Sequence, residues 1–160
     1  MQKRDSPVSE IRIRRATVDD LWWIVGELKE FSNDYGSKHK LFKSEEHCHL
    51  AMAGMVNDHL VFVAETVSPE GSTLLGLIAG FIVPHPFNPD IRLLAETFWW
   101  VGKMHRTTRA GFRLLDSFIS WGRENADWIT FGTMTTTPIK HKSLTKRGFK
   151  LKEQAFLLEV

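Results

Sequence analysis

The stretch Glu96–Leu115, ETFWWVGKMHRTTRAGFRLL, decides the fold. It begins inside an apolar run, Leu93–Gly102 (LLAETFWWVG), of strand length and composition. A short polar turn leads to Arg106-Thr107-Thr108-Arg109-Ala110-Gly111, and an amphipathic helix follows. Leu114, Leu115, Phe118, Ile119 and Gly122 fall on one face of that helix, and Arg113, Asp116, Ser120 and Arg123 on the other. The first turn of a helix carries N–H groups without partners and about half a positive charge. Two arginines, two hydroxyls and a glycine at that point suit a phosphate group. The glycine lets a ligand come close to the backbone.

Toward the N-terminus, Ile11–Ala16 (IRIRRA) alternates apolar and basic residues, the period of a half-exposed strand. Thr17 stands three residues before Asp20, a capping pattern, and Leu21, Ile24, Val25, Leu28 and Phe31 follow at helical spacing. The spacing predicts a helix over Val18–Ser32, a loop over Asn33–Lys43, and a second helix capped by Ser44 and ending at Asn57-Asp58. His59–Thr66 and Thr73–Val83 read as two strands joined in a hairpin by Ser68–Ser72. His85–Asp90 reads as a loop, because two prolines so close oppose regular pairing.

Toward the C-terminus, Trp128–Met134 reads as a strand, Pro138–Lys146 as a short helix, and Phe149–Val160 as a closing strand or hairpin. The order is β-α-α-β-β-β-α-β-α-β, with no repeat or linker. Residues 1–10 are expected to form a flexible leader, and residues 11–160 a single mixed α/β domain of the α+β mixed-sheet kind.

The 160 residues are 42% apolar and 25% charged, a balance that suits a globular domain and disfavours disorder, collagen and coiled coil. A chain of this size buries about 70% of its unfolded surface, enough for a core without disulfides. Cys48 is the single cysteine, so neither an intrachain disulfide nor a thiolate zinc cluster can form. A cytoplasmic location is the expectation that suits this. The longest apolar run, Leu74–Val83, falls short of the roughly 20 residues that a spanning helix needs, and the start MQKRDSPVSE lacks a signal's apolar segment. No membrane association is expected. Net charge is only +2, yet basic residues cluster at Lys103–Arg113 and Pro138–Lys150, which invites an anionic ligand.

Val101, four residues, Arg106-x-x-x-x-Gly111 and Leu114-Leu115 together resemble the acetyl-CoA pyrophosphate motif of GNAT-superfamily N-acetyltransferases, of the compact bacterial or phage type. The order of elements from Ile11 to Val160 is similar to that fold, and Lys146-Arg147-Gly148-Phe149 resembles the family's late Lys-x-Gly-Phe signature. The resemblance implies splayed central strands, with acetyl-CoA as co-substrate and no metal. Trp99, Trp100 and Val101 would pair with the pantetheine arm, and Arg106, Thr107, Thr108, Arg109, Ala110, Gly111 and Phe112 would surround the pyrophosphate. Thr135–Thr137 would border the opening where the acetyl group sits. Two positions depart from the family pattern. Arg109 replaces its usual first glycine, and Leu144 stands where many members carry a tyrosine that protonates the departing thiolate. Early helical residues have ordinary φ, so an arginine fits the backbone there. A thiol of pKa about 8.5 leaves tolerably without an acid.

Direct attack of an amine on the thioester needs a group to accept the amine's proton. Glu96, near the start of the strand that enters the site, is the candidate base, since burial would raise its pKa into the useful range. His105 and His141 are the runners-up. His47 and His49 sit two apart on a helix and point to different faces, so no metal site is expected from them. The first two helices and their loop shape the acceptor site in this family. That implies Phe31 and Tyr35, with Thr136 across the opening, as substrate-side residues, and Trp22 and Phe42 as further aromatics there.

The acceptor is an amine whose class the residues leave open. Many proteins of this fold form homodimers, although nothing in the sequence marks an interface. The competing reading is an inactive GNAT fold that binds protein or nucleic acid through its basic clusters and tryptophans. Nucleic acid is disfavoured, because most aromatics fall at core phases and the net charge is small.

Overall fold

The computed structural model describes residues 10–160, so the leader expected over residues 1–10 lies, but for Glu10, outside the described residues. Among the described residues five strands form one sheet in sequence order: β1 (Ile11–Arg15), β2 (Leu60–Ser68), β3 (Gly71–His85), β4 (Asn88–Val101) and β5 (Trp128–Thr130). The first four are antiparallel, and β5 runs parallel to β4. Helices α1 (Leu21–Asp34) and α2 (Glu45–Asp58) cover one face, and α3 (Ala110–Asn125) the other. A short α4 (His141–Thr145) follows β5.

Alternation along the strands supplies both cores. Val61 and Val63 of β2 and Leu77 and Ala79 of β3 meet Leu21, Ile24 and Leu28 of α1 and Met52 and Met55 of α2. Leu60, Ala64, Leu75 and Ile78 meet Leu114, Leu115, Phe118 and Ile119 of α3. Leu114, Leu115 and Phe118 are fully buried, and each such side chain contributes about 1.5–3 kcal/mol. The Asp20 carboxylate accepts the Thr17 N–H at 2.8 Å, as the capping pattern implies, and a 3-10 turn (Val18–Asp20) leads into α1. Arg14 locks that start to the sheet. Its guanidinium bonds both Asp20 oxygens at 2.8 and 2.9 Å and the buried Glu65 at 3.0 Å.

Strand β4 contains the irregularity that positions the site. Gly80 of β3 stands opposite Glu96, and its neighbour Ala79 stands opposite Phe98, which leaves Thr97 as the extra residue of a bulge. The Thr97 hydroxyl donates to the Ala79 carbonyl at 3.2 Å. Leu94 therefore packs toward α3, whereas Phe98 and Trp100 pack toward α1.

Four elements differ from the sequence reading. The expected loop His85–Asp90 is a tight hairpin, with β3 running to His85 and β4 starting at Asn88. The register skips between Pro84 and His85, and this irregularity accommodates Pro89 without breaking the strand. The expected strand Trp128–Met134 ends at Thr130, and the helix expected from Pro138 begins at His141. The closing strand expected over Phe149–Val160 is not formed. With β5 only three residues long there is little edge for it to join. The tail is fastened by Glu159, which accepts the Ser37 hydroxyl and the Lys38 N–H. No helix among the described residues is long and apolar enough to cross a membrane.

Candidate active site

Strands β4 and β5 pair only where Leu93, Leu94 and Ala95 face Trp128, Ile129 and Thr130. Asp127 fastens the start of this clasp, its N–H donating to the Arg92 carbonyl at 2.9 Å while its carboxylate accepts the Arg92 N–H at 2.8 Å. Beyond Ala95 the two chains part, and β4 continues to Val101 with no strand on that side among the described residues. This is the splay that the resemblance implied.

Glu96 is the first residue past the clasp. Its carboxylate accepts the Gly132 N–H at 3.2 Å, so the side chain spans the mouth of the opening. Burial pushes its pKa from 4.5 up to about 7, and the Gly132 N–H opposes that rise. Among the described residues no cation pairs with it. A carboxyl that titrates near neutrality in a cleft can accept a proton from an amine.

The two tryptophans that follow divide between the faces of the sheet. Trp99 lies on the α3 side, where its indole N–H donates to the Gly111 carbonyl at 3.1 Å and its ring meets Phe131 edge-on at 5.4 Å. Trp100 lies on the α1 side, where its indole N–H donates to Glu27 at 2.7 Å. Phe31 sits between Trp100 at 5.6 Å, Phe98 at 5.9 Å and Tyr35 at 5.8 Å, which makes one aromatic wall from α1 and β4. Thr136 stands exposed in the turn after β5, and among the described residues no hydrogen bond ties it to Glu96 or to this wall. Trp22 is 74% exposed beside α2, away from that wall, and Trp23 packs on the core.

A 3-10 turn (Lys103–His105) joins β4 to the phosphate-like motif. The Thr108 hydroxyl donates to the His105 carbonyl at 2.7 Å and accepts the Ala110 N–H at 3.2 Å, and so caps α3. The Gly111 and Phe112 N–H groups have no acceptor among the described residues, as first-turn amides do. Arg109 has φ −85° and is exposed, so the arginine in place of the family's glycine costs no backbone strain. A Cβ on Gly111 would lie 3.3 Å from Val101 Cγ2 and 3.5 Å from Trp99 Cζ2. This glycine lets α3 start close against β4, a clearance within the protein. Ala110 is buried, Thr107 is exposed, and Phe112 lies on the surface under the Arg147 guanidinium at 5.2 Å. His105, Thr108, Arg109 and Arg113 also line a cleft of about 830 Å³ that reaches Thr66 and Thr73 of the β2–β3 hairpin.

Sequence reasoning missed the acidic side of α1. Glu27, Glu30 and Asp34, at three- and four-residue spacing, share one helix face that meets Trp100, Lys103 and Arg106. The spacing is visible in the sequence, but its partners lie some 70 residues away. His141 is exposed, and Leu144 packs against the α3-side core. Among the described residues no group of three or more potential metal ligands is gathered.

No family model matches the chain, and no curated protein matches it in sequence. Solved structures do match it in fold. A Trypanosoma brucei acetyltransferase is 16% identical over 94% of this chain and 100% of its own, with a TM-score of 0.67. A protein of Clostridium acetobutylicum, described as a predicted acetyltransferase and solved with acetyl-CoA, is 16% identical over 94% and 96%, with a TM-score of 0.70. A transcriptional regulator from Bacillus halodurans is 17% identical over 94% and 100%, with a TM-score of 0.71. The mixed α/β fold is therefore one that acetyltransferase structures share. At such identities the likeness is one of fold.

Proposed function

We propose that this protein transfers an acetyl group from acetyl-CoA to an amine. The observation that carries the reading is the half-buried Glu96, paired with no cation among the described residues, at the mouth of the opening between β4 and β5, within one strand of the free α3 amides.

The residues present fit the co-substrate. The β4 backbone from Thr97 to Val101 has no strand on its edge along the splay among the described residues, which suits an amide-bearing arm such as pantetheine. The Gly111 and Phe112 amides, with the exposed Arg109 just ahead of them in the chain, suit a pyrophosphate. Bound acetyl-CoA supplies an activated thioester. Glu96, when ionised, takes the proton from the incoming ammonium, and its pKa near 7 keeps a useful fraction ionised at neutral pH. A backbone N–H on the free edge of β4 stabilises the developing oxyanion. The Phe31–Tyr35–Phe98–Trp100 wall borders the acceptor side, and closing the space around both substrates supplies proximity. A nucleic-acid platform is less well supported, since Trp99 and Trp100 are packed within the cores and unavailable for base stacking.

Calorimetric titration with acetyl-CoA, with desulfo-CoA and ATP as controls, tests the reading. Micromolar binding of both pantetheine-bearing ligands, and weaker binding of ATP, is the expected result. Absence of acetyl-CoA binding by the folded protein overturns it. With an active amine found by screening, Glu96→Gln should lower turnover at neutral pH and leave acetyl-CoA affinity intact.

A further inference from the structure

Arg106, to which the resemblance assigns a pyrophosphate contact, points elsewhere. Its Nε donates to the Val101 carbonyl at 3.3 Å, its Nη2 bonds Asp34 at 3.4 Å, and its guanidinium lies 4.5 Å over the Trp100 ring. Trp100 is on the α1 face of the sheet, whereas the free amides of Gly111 and Phe112 belong to α3 on the opposite face. Each partner is itself fixed. Asp34 also bonds Lys103 at 3.1 Å, Lys103 bonds Glu30 at 3.2 Å, and the Trp100 indole is held by Glu27 at 2.7 Å. The Lys103 and Arg106 hydrogen bonds hold the Asp34 carboxyl below the usual carboxylate range, so it is ionised wherever the site would work.

We infer that Arg106 is a positioning residue that braces the end of β4 against α1, and that Asp34 and Trp100 are its anchors. The inference rests on the acetyl-CoA reading above and refines it, leaving the phosphates to the α3 amides and Arg109. A single exposed ion pair contributes little, but an arginine that stacks on an indole and bonds a carbonyl and a carboxylate together is held in one orientation. The carbonyl it holds is that of Val101, the last residue of the edge offered to the pantetheine arm. The helix it holds carries Phe31 and Tyr35 of the acceptor wall. The brace therefore links the two substrate sides of the opening.

A pair of ligands separates this from a phosphate contact: acetyl-CoA, and S-acetylpantetheine, which has the same arm and thioester but no phosphate. Affinities for both are measured by NMR titration of the wild type, Arg106→Ala, Asp34→Ala and the exchanged pair Arg106→Asp with Asp34→Arg. The brace requires Arg106→Ala and Asp34→Ala each to weaken both ligands by a similar factor, about three- to tenfold. It also requires the exchanged pair to recover part of the loss, and the Trp100 indole proton to shift in both single variants. Loss confined to acetyl-CoA in Arg106→Ala, with S-acetylpantetheine unchanged, makes Arg106 a phosphate ligand and overturns the inference. Tighter acetyl-CoA binding by Asp34→Ala does so too, because it shows a freed arginine turning to the phosphates. A wild type that binds neither ligand overturns the acetyl-CoA reading itself, and the brace as a device for it.

Discussion

Replacing Glu96 with glutamine should make this protein more stable, by an amount that depends on pH. In the unfolded chain the carboxyl titrates at its ordinary 4.5, and in the folded protein burial raises it to about 7. Between these values the folded state holds a proton that the unfolded state has released, so stability falls as pH rises. The stability tied to the neutral carboxyl is complete below pH 4.5 and is lost as pH rises through 7. A shift of this size at about 1.4 kcal/mol per unit gives a cost of about 3 kcal/mol once the carboxylate is forced to ionise in place. Glutamine carries no such cost, and its side-chain oxygen can still accept the Gly132 N–H. Urea unfolding of both proteins should therefore give nearly equal free energies at about pH 4. The advantage of the variant should grow to about 2 kcal/mol at pH 6 and about 3 kcal/mol at pH 9, with unchanged m-values. A pH-independent difference, or a variant less stable than the wild type at pH 8, would show that the carboxyl is solvated and poorly suited to act as a base near neutrality. This assay needs no acceptor.

Three further outcomes follow from the packing. Arg14→Ala should destabilise the fold by about 3–5 kcal/mol at pH 7, because it leaves the buried Asp20 carboxylate without a cation and the buried Glu65 with only Arg12 at 4.0 Å. Arg14 also holds the Asp20 pKa low, and that stabilisation is lost as pH falls through the lowered value, so the deficit should narrow in acid unfolding curves. Gly76→Ala should cost about 1–3 kcal/mol in calorimetric melting, since its Cβ would stand 2.7 Å from the Trp100 carbonyl oxygen; a loss below about 0.5 kcal/mol means that the end of β4 yields freely. Ser44→Ala should remove about 1 kcal/mol, because the Ser44 hydroxyl accepts the His47 N–H at the start of α2, and an unchanged denaturation midpoint would refute that cap.

The helices were the most legible part of the sequence. Leu114, Leu115, Phe118, Ile119 and Gly122 are all buried, as their spacing requires, and so are Leu21, Ile24, Val25 and Leu28. A helical period repeated over four turns leaves one way to face a sheet. The strand ends were less legible. Whether pairing continues past Thr130 depends on where β4 diverges, and the apolar pattern through Phe131 gives no sign of it. The Leu- and Phe-rich tail reads as a strand, yet Phe156, Leu158 and Val160 are more than 80% exposed, since a strand needs an edge as well as a suitable composition. At the site, Glu96 and the Arg106–Gly111 turn stood out through their local setting. The attachment of Arg106 to Asp34 did not, because it depends on how α1 crosses the sheet 72 residues away.

The single extra residue at Thr97 means that β4 works in two reading frames. Up to Glu96 the even-numbered side chains belong with α3; from Phe98 onward they belong with α1. Inserting one residue between Phe98 and Trp99 would carry Trp99 into the place of Trp100, and the indole that now bonds Gly111 would meet Glu27 instead. Substitutions in β4 thus act locally, whereas a change of length acts on every side chain beyond it. Among natural or designed relatives of this chain, length variation should be tolerated at the β2–β3 turn around Glu70 and avoided between Glu96 and Val101.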